Sequence, residues 1–298
     1  MPSFRSSKEQ AAHAVSQRVA FGKSRHHEKA AGKIHSVRTA QAYTQALSGF
    51  VQFIQKNRLG DLKSASPDIA QAYLYERQES GLSQKTLDQD RQALQNHFMQ
   101  PLERLQATAK SHLSTRSYTT AQVQQIASSQ NDKNSLSTLI VYAAGLRSHE
   151  LNTIRPVREQ RASTHREWST DRFNGRVGVL YTVKGKGGLV REVLLPRSLS
   201  IRLEATKFTG GPVHTVDRGV NYQKHYNIGA GRNWSTSFSR VSSNQLGWTN
   251  GGHGLRHSYA QERMGELQAA GYRYKEALGI TAQELGHFAA TTTEVYLR

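Results

Sequence analysis

The strongest constraint on how this chain can fold is an ordered series of phosphate-handling side chains that ends in a tyrosine. Arg147 stands in Gly145-Leu146-Arg147-Ser148-His149-Glu150-Leu151, and Lys184 and Lys186 in Val183-Lys184-Gly185-Lys186-Gly187-Gly188. His253 and Arg256 follow in His253-Gly254-Leu255-Arg256-His257, and His287 in Leu285-Gly286-His287. Tyr296 comes nine residues after His287, third from the end of 298 residues. Two arginines, a lysine and two histidines can neutralise one phosphodiester and move its protons, and a tyrosine can attack it. A chain that uses them together must bring Arg147 and Tyr296 to one point. The set suggests DNA breakage and rejoining without a metal.

The bulk charge agrees with that chemistry. Lys plus Arg is 40 against 22 Asp plus Glu, a formal charge of +18, which favours a polyanionic partner and most simply nucleic acid. The chain has no cysteine, which removes disulfides, thiolate zinc sites and a cysteine nucleophile together. No apolar run approaches the roughly 20 residues of a membrane-spanning helix. The N-terminus has no signal-peptide apolar core. The expected location is therefore cytoplasmic and nucleoid-associated, with no membrane partner.

The length allows two domains. Residues 1–36 carry seven Lys/Arg against two acids and read as a basic, flexible arm able to lie on a DNA backbone. Residues 37–110 read as a small helical DNA-binding domain. Tyr43, Leu47, Phe50 and Ile54 recur at helical spacing. Ser66-Pro67 opens a second helix that Gly81 ends, and Ser83 caps a third carrying Leu87, Leu94 and Phe98. Residues 111–118 are a linker.

Residues 119–298 read as a catalytic domain, opened by the capping box Thr119-x-x-Gln122. A helix with Leu136, Leu139, Ile140 and Ala143 ends at Gly145, so Arg147 sits on a short turn just past a buried helix. Residues 177–183 and 190–195 predict a hairpin with Lys184 and Lys186 at or near its tip. The stretch 155–176, with six arginines against three acids, reads as an exposed loop, and 207–252 has no clear assignment. A helix is expected from about His253 to Ala269. Thr281-x-x-Glu284 predicts the start of another containing Leu285. The fold class is mainly α with a small β-sheet or hairpin, an α+β chain.

His253 and Arg256 at i and i+3 share a helix face and can reach one phosphate. Arg256 can donate a bidentate fork to it and Arg147 a second fork from the other side. Such clamps stabilise the extra charge of a pentacoordinate phosphorane. His253 and His257 at i and i+4 are also half of a zinc site, but no cysteine, HExxH helix or carboxylate at ligand spacing completes it. The Lys-Gly-Lys-Gly-Gly turn lacks the Gly-x4-Gly-Lys-Ser/Thr pattern of a phosphate loop, so an NTPase is not expected. A lysine there is a mobile acid for a leaving 5′ oxygen. A free phenol has a pKa near 10, so a tyrosine nucleophile at 296 needs a cationic setting or a base.

Taken in order, Gly-Leu-Arg147-x-x-Glu150-Leu, the hairpin lysine, His253-x-Leu-Arg256-His257, Leu-Gly-His287 and Tyr296 resemble the active-site series of the tyrosine recombinase (phage integrase) family. The likeness covers most of 119–298, and the helical block resembles that family's core-binding domain. The resemblance implies a two-domain, C-shaped clamp on double-stranded DNA. In it Arg147 and Arg256 bind the scissile phosphate, and Lys186, with Lys184 as the competing choice, is the general acid. His253 assists proton transfer, His287 hydrogen-bonds the phosphate, and Glu150 and His257 support the pocket. Tyr296 forms a 3′-phosphotyrosyl link and releases a 5′-hydroxyl, with no cofactor, metal or ATP. The implied assembly is a homo-tetramer on two DNA sites; the need for an accessory DNA-bending protein stays open.

The departures from the family pattern are a long Arg147–Lys186 interval, an added segment near 265–280, and only two residues after Tyr296. Many relatives dock a C-terminal segment on a neighbouring protomer. Here another element, such as 265–280, is expected to make that contact, or assembly is weak without DNA. A type IB topoisomerase-like enzyme shares the chemistry but rejoins the same strand, and a non-catalytic DNA-binding homologue keeps only the fold.

Overall fold

A computed structural model describes residues 6–21, 32–109, 115–185 and 187–297. The chain divides into two compact units, Met1–His112 and Leu113–Arg298. No described helix is long and apolar enough to cross a membrane.

The first unit is helical: α1 (Ser7–Ser16), α2 (Val37–Lys56), α3 (Pro67–Glu79) and α4 (Gln84–Phe98). The expected apolar stripe of α2 is buried at Leu47, Phe50 and Ile54, where it meets Tyr73 and Leu74 of α3 and Leu94 of α4. Ser66 and Ser83 cap α3 and α4, their hydroxyls accepting the Ile69 and Thr86 N–H groups. One expectation is corrected. Residues 7–16, read as part of a flexible arm, form α1, because Ser6 and Glu9 make a reciprocal capping box and Ala11 and Val15 are buried with the α2 core. The charge run hid a short apolar face. The arm's Arg5, Lys23, Arg25 and Lys29 lie outside the described residues, as do 111–114 of the expected linker.

The second unit is built as α5 (Thr120–Ser128), α6 (Asp132–Ala144), β1 (Arg155–Pro156), β2 (Val179–Lys184), β3 (Val190–Leu195), α7 (Arg197–Glu204), β4 (Val213–Asp217), β5 (Val220–Lys224), α8 (Gly231–Leu246), α9 (Gly254–Ala269), α10 (Tyr274–Glu284) and α11 (Ala290–Glu294). The strands form an antiparallel sheet β1-β2-β3 and a separate ribbon β4-β5. Thr119 and Gln122 make the expected capping box. The core gathers Ile140, Val141 and Leu146 with Tyr181, Val183 and Val193 of the sheet and Trp234 and Phe238 of α8. The expected hairpin is β2–β3, joined by a third, two-residue strand that the sequence pattern was too short to reveal.

Two further readings change. Thr281-x-x-Glu284 does not open a helix. It lies at the end of α10, which starts after Arg273, where the Glu276 carboxylate accepts the Arg273 N–H at 2.9 Å. Glu284 is buried and accepts from Tyr259 and Arg263, so its spacing from Thr281 reflects a buried ion pair and not a cap. The stretch 155–176 is not a free loop. Ser169 and Phe173 donate backbone N–H groups to Gln283 and Glu284, each at 2.7 Å, and Arg176 pairs with Glu266 at 2.7 Å. Trp168 lies against Phe288 at 5.1 Å. Two of its six arginines, Arg172 and Arg176, pair with carboxylates on other elements, which a composition count cannot see, while Arg158, Arg161 and Arg166 stay exposed. The unassigned 207–252 contains the β4–β5 ribbon and α8.

Candidate active site

Gly145 fixes where the site begins. It ends α6 with φ 58°, a left-handed conformation, and a Cβ there would come within 2.8 Å of Leu285 and Tyr259. The close approach leaves its carbonyl free to accept from two guanidinium groups, those of Arg256 and Arg191. The next residues turn through a 3-10 segment, Glu150–Asn152, that presents Arg147.

Glu150 is the counter-charge beneath the site. It is fully buried and accepts from the Arg147 backbone N–H, Arg147 Nη1 and Arg191 Nη2, each at 2.8 Å. Burial alone raises a carboxyl pKa, but the Arg191, Arg147 and Arg256 charges outweigh it and hold Glu150 well below the usual carboxylate range. We expect Glu150→Gln, which keeps the shape and removes the charge, to destabilise the domain by about 3–5 kcal/mol, since it leaves buried cations uncompensated. Urea denaturation of the two proteins measures it; a loss under about 1 kcal/mol would show that the pair is not a net stabiliser.

Above this base the two arginines converge. Arg147 Nη2 lies 3.0 Å and Arg256 Nη2 3.4 Å from His287 Nε2. A guanidinium only donates, so Nε2 is the acceptor and the ring proton sits on Nδ1, 3.1 Å from the Thr293 hydroxyl. Arg256 is fully buried and also donates to the carbonyls of Gly145 and Leu285. Burial and the Arg147 charge push its pKa down to about 10, which keeps it cationic at neutral pH.

Tyr296 closes the site. Its ring centroid lies 5.3 Å from His253, 4.7 Å from His257 and 5.4 Å from His287, and the Arg256 guanidinium stands over it at 5.4 Å. His253 is the residue just before α9, and Arg256 and His257 fall in its first turn. The structure thus brings together Arg147, Glu150, His253, Arg256, His257, His287 and Tyr296. Lys184, at the end of β2, is exposed; its backbone N–H donates to the Thr153 hydroxyl at 3.0 Å. Lys186 lies outside the described residues. Among the described residues no group of three or more His, Asp or Glu could hold a metal ion.

Two neighbours of the site were not foreseen, Arg191 and Thr293. Arg191 is 1% exposed on β3, in line with inward-facing Val193 and Leu195. An arginine in the inward register of a strand is the signal that could have found it. Thr293 has no such mark.

His253 and His287 are both pushed down to about 3, first by burial and then by the Arg256 charge. The folded protein therefore holds both imidazoles neutral, whereas an unfolded chain protonates them near their ordinary 6.5. Below that pH the unfolded state binds more protons, so their stabilising contribution is present above 6.5 and is lost as pH falls toward about 3. Urea midpoints should drop between pH 7.5 and pH 5, and less in a His253→Gln/His287→Gln protein; equal drops would show that other groups set the acid limb.

Known proteins share this fold. Residues 31–106 match the family model described as the phage integrase N-terminal SAM-like domain. The XerH site-specific recombinase bound to palindromic difH substrate, a post-cleavage complex, aligns with TM-score 0.55 at 18% identity, covering 98% of this chain and 90% of that one. The Tn1549 transposon integrase in complex with transposon right-end DNA aligns with TM-score 0.53 at 17% identity, over 99% and 95%. The chain shares the fold of these recombinases. No curated protein matches it in sequence. A pre-cleavage complex of XerH with difH aligns over 87% of this chain and 75% of that one, at 21% identity and TM-score 0.51. The shared fold has a helical first unit.

Proposed function

We propose that this chain is a site-specific DNA recombinase or integrase that cuts and rejoins duplex DNA through a 3′-phosphotyrosyl intermediate. The observation that carries the reading is the convergence of Arg147 and Arg256 on His287 Nε2 beside the Tyr296 ring. A phosphate oxygen entering there replaces Nε2 as the acceptor of both forks. His287 then turns donor: with the proton on Nε2 it binds the phosphate, and Nδ1 accepts from the Thr293 hydroxyl, which can reverse its bond.

Tyr296 Oη attacks phosphorus and its proton passes to a base, a role for neutral His253, whose ring lies 5.3 Å from that of Tyr296. Burial and then the guanidinium charges depress this imidazole, and the phosphate's negative charge offsets the second of these, so its basicity rises when DNA is bound. The bond from phosphorus to the 5′ oxygen breaks, and that oxygen takes a proton from Lys186 or Lys184. A 5′-hydroxyl from a partner duplex reverses the step. The phosphotyrosyl bond keeps the energy of the bond it replaces, so the exchange needs no ATP. Glu150 and His257 act by positioning, and a homo-tetramer on two DNA sites is the assembly that exchanges strands.

The test is covalent trapping. Nicked suicide duplexes drawn from sequence flanking the gene are incubated with the protein in a chelator and resolved on a denaturing gel. The expected product is a protease-sensitive adduct on the 3′-phosphate end of the break, with a free 5′-hydroxyl on the other end. Tight binding without an adduct would favour a non-catalytic homologue. Relaxation of any supercoiled plasmid without partner exchange would favour a type IB topoisomerase-like activity.

A further inference from the structure

The β4–β5 ribbon has no part in the chemistry above, yet it is tied to the turn that carries Arg147. Asp217, at the end of β4, accepts the Arg232 backbone N–H of α8 at 2.9 Å, and the preceding Gly231 N–H donates to the Ser148 carbonyl at 2.8 Å. Through the start of α8 the ribbon is thus tied one residue from Arg147.

Its two faces differ. The register pairs His214 with Gln223 and Val216 with Asn221, so these four share one face, and all four are exposed. Thr215, Asp217, Tyr222 and Lys224 share the other and are half-buried, with Val213 and Val220 exposed at its ends; Lys224 donates to the Ile228 carbonyl. The middle of this inner face is held by the domain. The outer face carries amide, imidazole and methyl groups and no acid, and Arg218 stands exposed at the tip with φ 51°. The sheet has two strands, and the chain just past β5 pairs with residues 206–208.

We propose that this outer face reads base edges in the major groove of duplex DNA next to the phosphate held by Arg147 and Arg256. The proposal rests on the reading of the chain as a DNA strand-transfer enzyme and names a specificity element for it. The groove, about 12 Å wide, admits a two-stranded ribbon. Asn221 and Gln223 have the donor–acceptor pair that matches adenine N7 and N6, Val216 offers methyls to a thymine methyl, and Arg218 meets a backbone phosphate. In the free protein His214 Nε2 is 3.0 Å from Asn221 Oδ1, so one amide is held extended on the face before DNA arrives. The occupant is polyanionic because the face has no acid and the whole chain carries +18.

Selection from a randomised duplex library, with the full chain, tests this. The wild type should enrich a motif with A·T pairs. Asn221→Ala/Gln223→Ala should lose preference at those pairs and bind the wild-type motif about 5- to 100-fold more weakly for each amide removed, with unchanged binding to random duplex. Arg218→Ala should weaken motif and random duplex alike and reduce the slope of log K against log salt by about 1. An unchanged motif and affinity in the double variant overturns the proposal, as does a wild type that binds duplex without any motif; both leave the DNA reading standing. A wild type that binds no duplex overturns both. If the double variant keeps the motif but loses self-association in sedimentation, the ribbon docks a second copy of the chain and the proposal falls.

Discussion

Tyr296→Phe should form no covalent adduct with a nicked duplex while folding normally and binding that duplex as the wild type does. Phenylalanine keeps the ring that packs between His253, His257 and His287 and under the Arg256 guanidinium, so the site keeps its shape. It removes only the oxygen that would attack phosphorus. Loss of a nucleophile is expected to lower the single-turnover rate by about 10^4-fold or more. Denaturing gels measure the adduct, a thermal melt the fold, and a mobility shift the binding. If the Tyr296→Phe protein still forms the adduct at a similar rate, the nucleophile is elsewhere. Tyr272 and Tyr274 are the nearest other tyrosines along the chain. Tyr272 already accepts from Asn174 at 2.7 Å, and Tyr274 is 48% exposed at the start of α10.

Arg147→Ala should slow adduct formation by about 10^3- to 10^5-fold, the range for an arginine that neutralises charge in a phosphoryl transition state. Arg147 suits this test better than Arg256. Its side chain is 25% accessible, and Glu150 keeps its 2.8 Å pair with Arg191 when Arg147 is gone. Arg256 is buried against two carbonyls, and its removal mixes catalytic with folding loss. Arg147→Lys should recover little, because an ammonium cannot present two parallel N–H groups. Single-turnover rates alongside urea melts separate the two effects. A drop of ten-fold or less with an intact fold would remove Arg147 from the phosphate clamp.

Much of the helical frame was legible in the residues themselves. Ser66, Ser83 and Thr119 each satisfy an N–H at a helix start, and Leu47, Phe50 and Ile54 return to one face of α2. These signals are local, since a cap or an apolar stripe works within four residues. The same locality explains the misses. Thr281 and Glu284 have capping-box spacing, but Glu284 is committed to Tyr259 and Arg263. The arginine-rich 155–176 stretch looked solvated, but its partners Glu192, Gln283 and Glu266 lie far along the chain.

The sequence by itself determined which side chains could handle a phosphodiester and in what order they come. Residue type sets donor count, charge and nucleophilicity whatever the fold. Only the tertiary structure decided that Arg147, His287 and Arg256, from three separate elements, meet at one nitrogen, and that Tyr296 lies on them. It also decided the protonation of the site. Burial beside Arg256 is what holds His253 and His287 neutral, and three guanidinium groups around one carboxylate are what keep Glu150 charged. Both depend on distances between residues remote in sequence, which the order of residues does not contain.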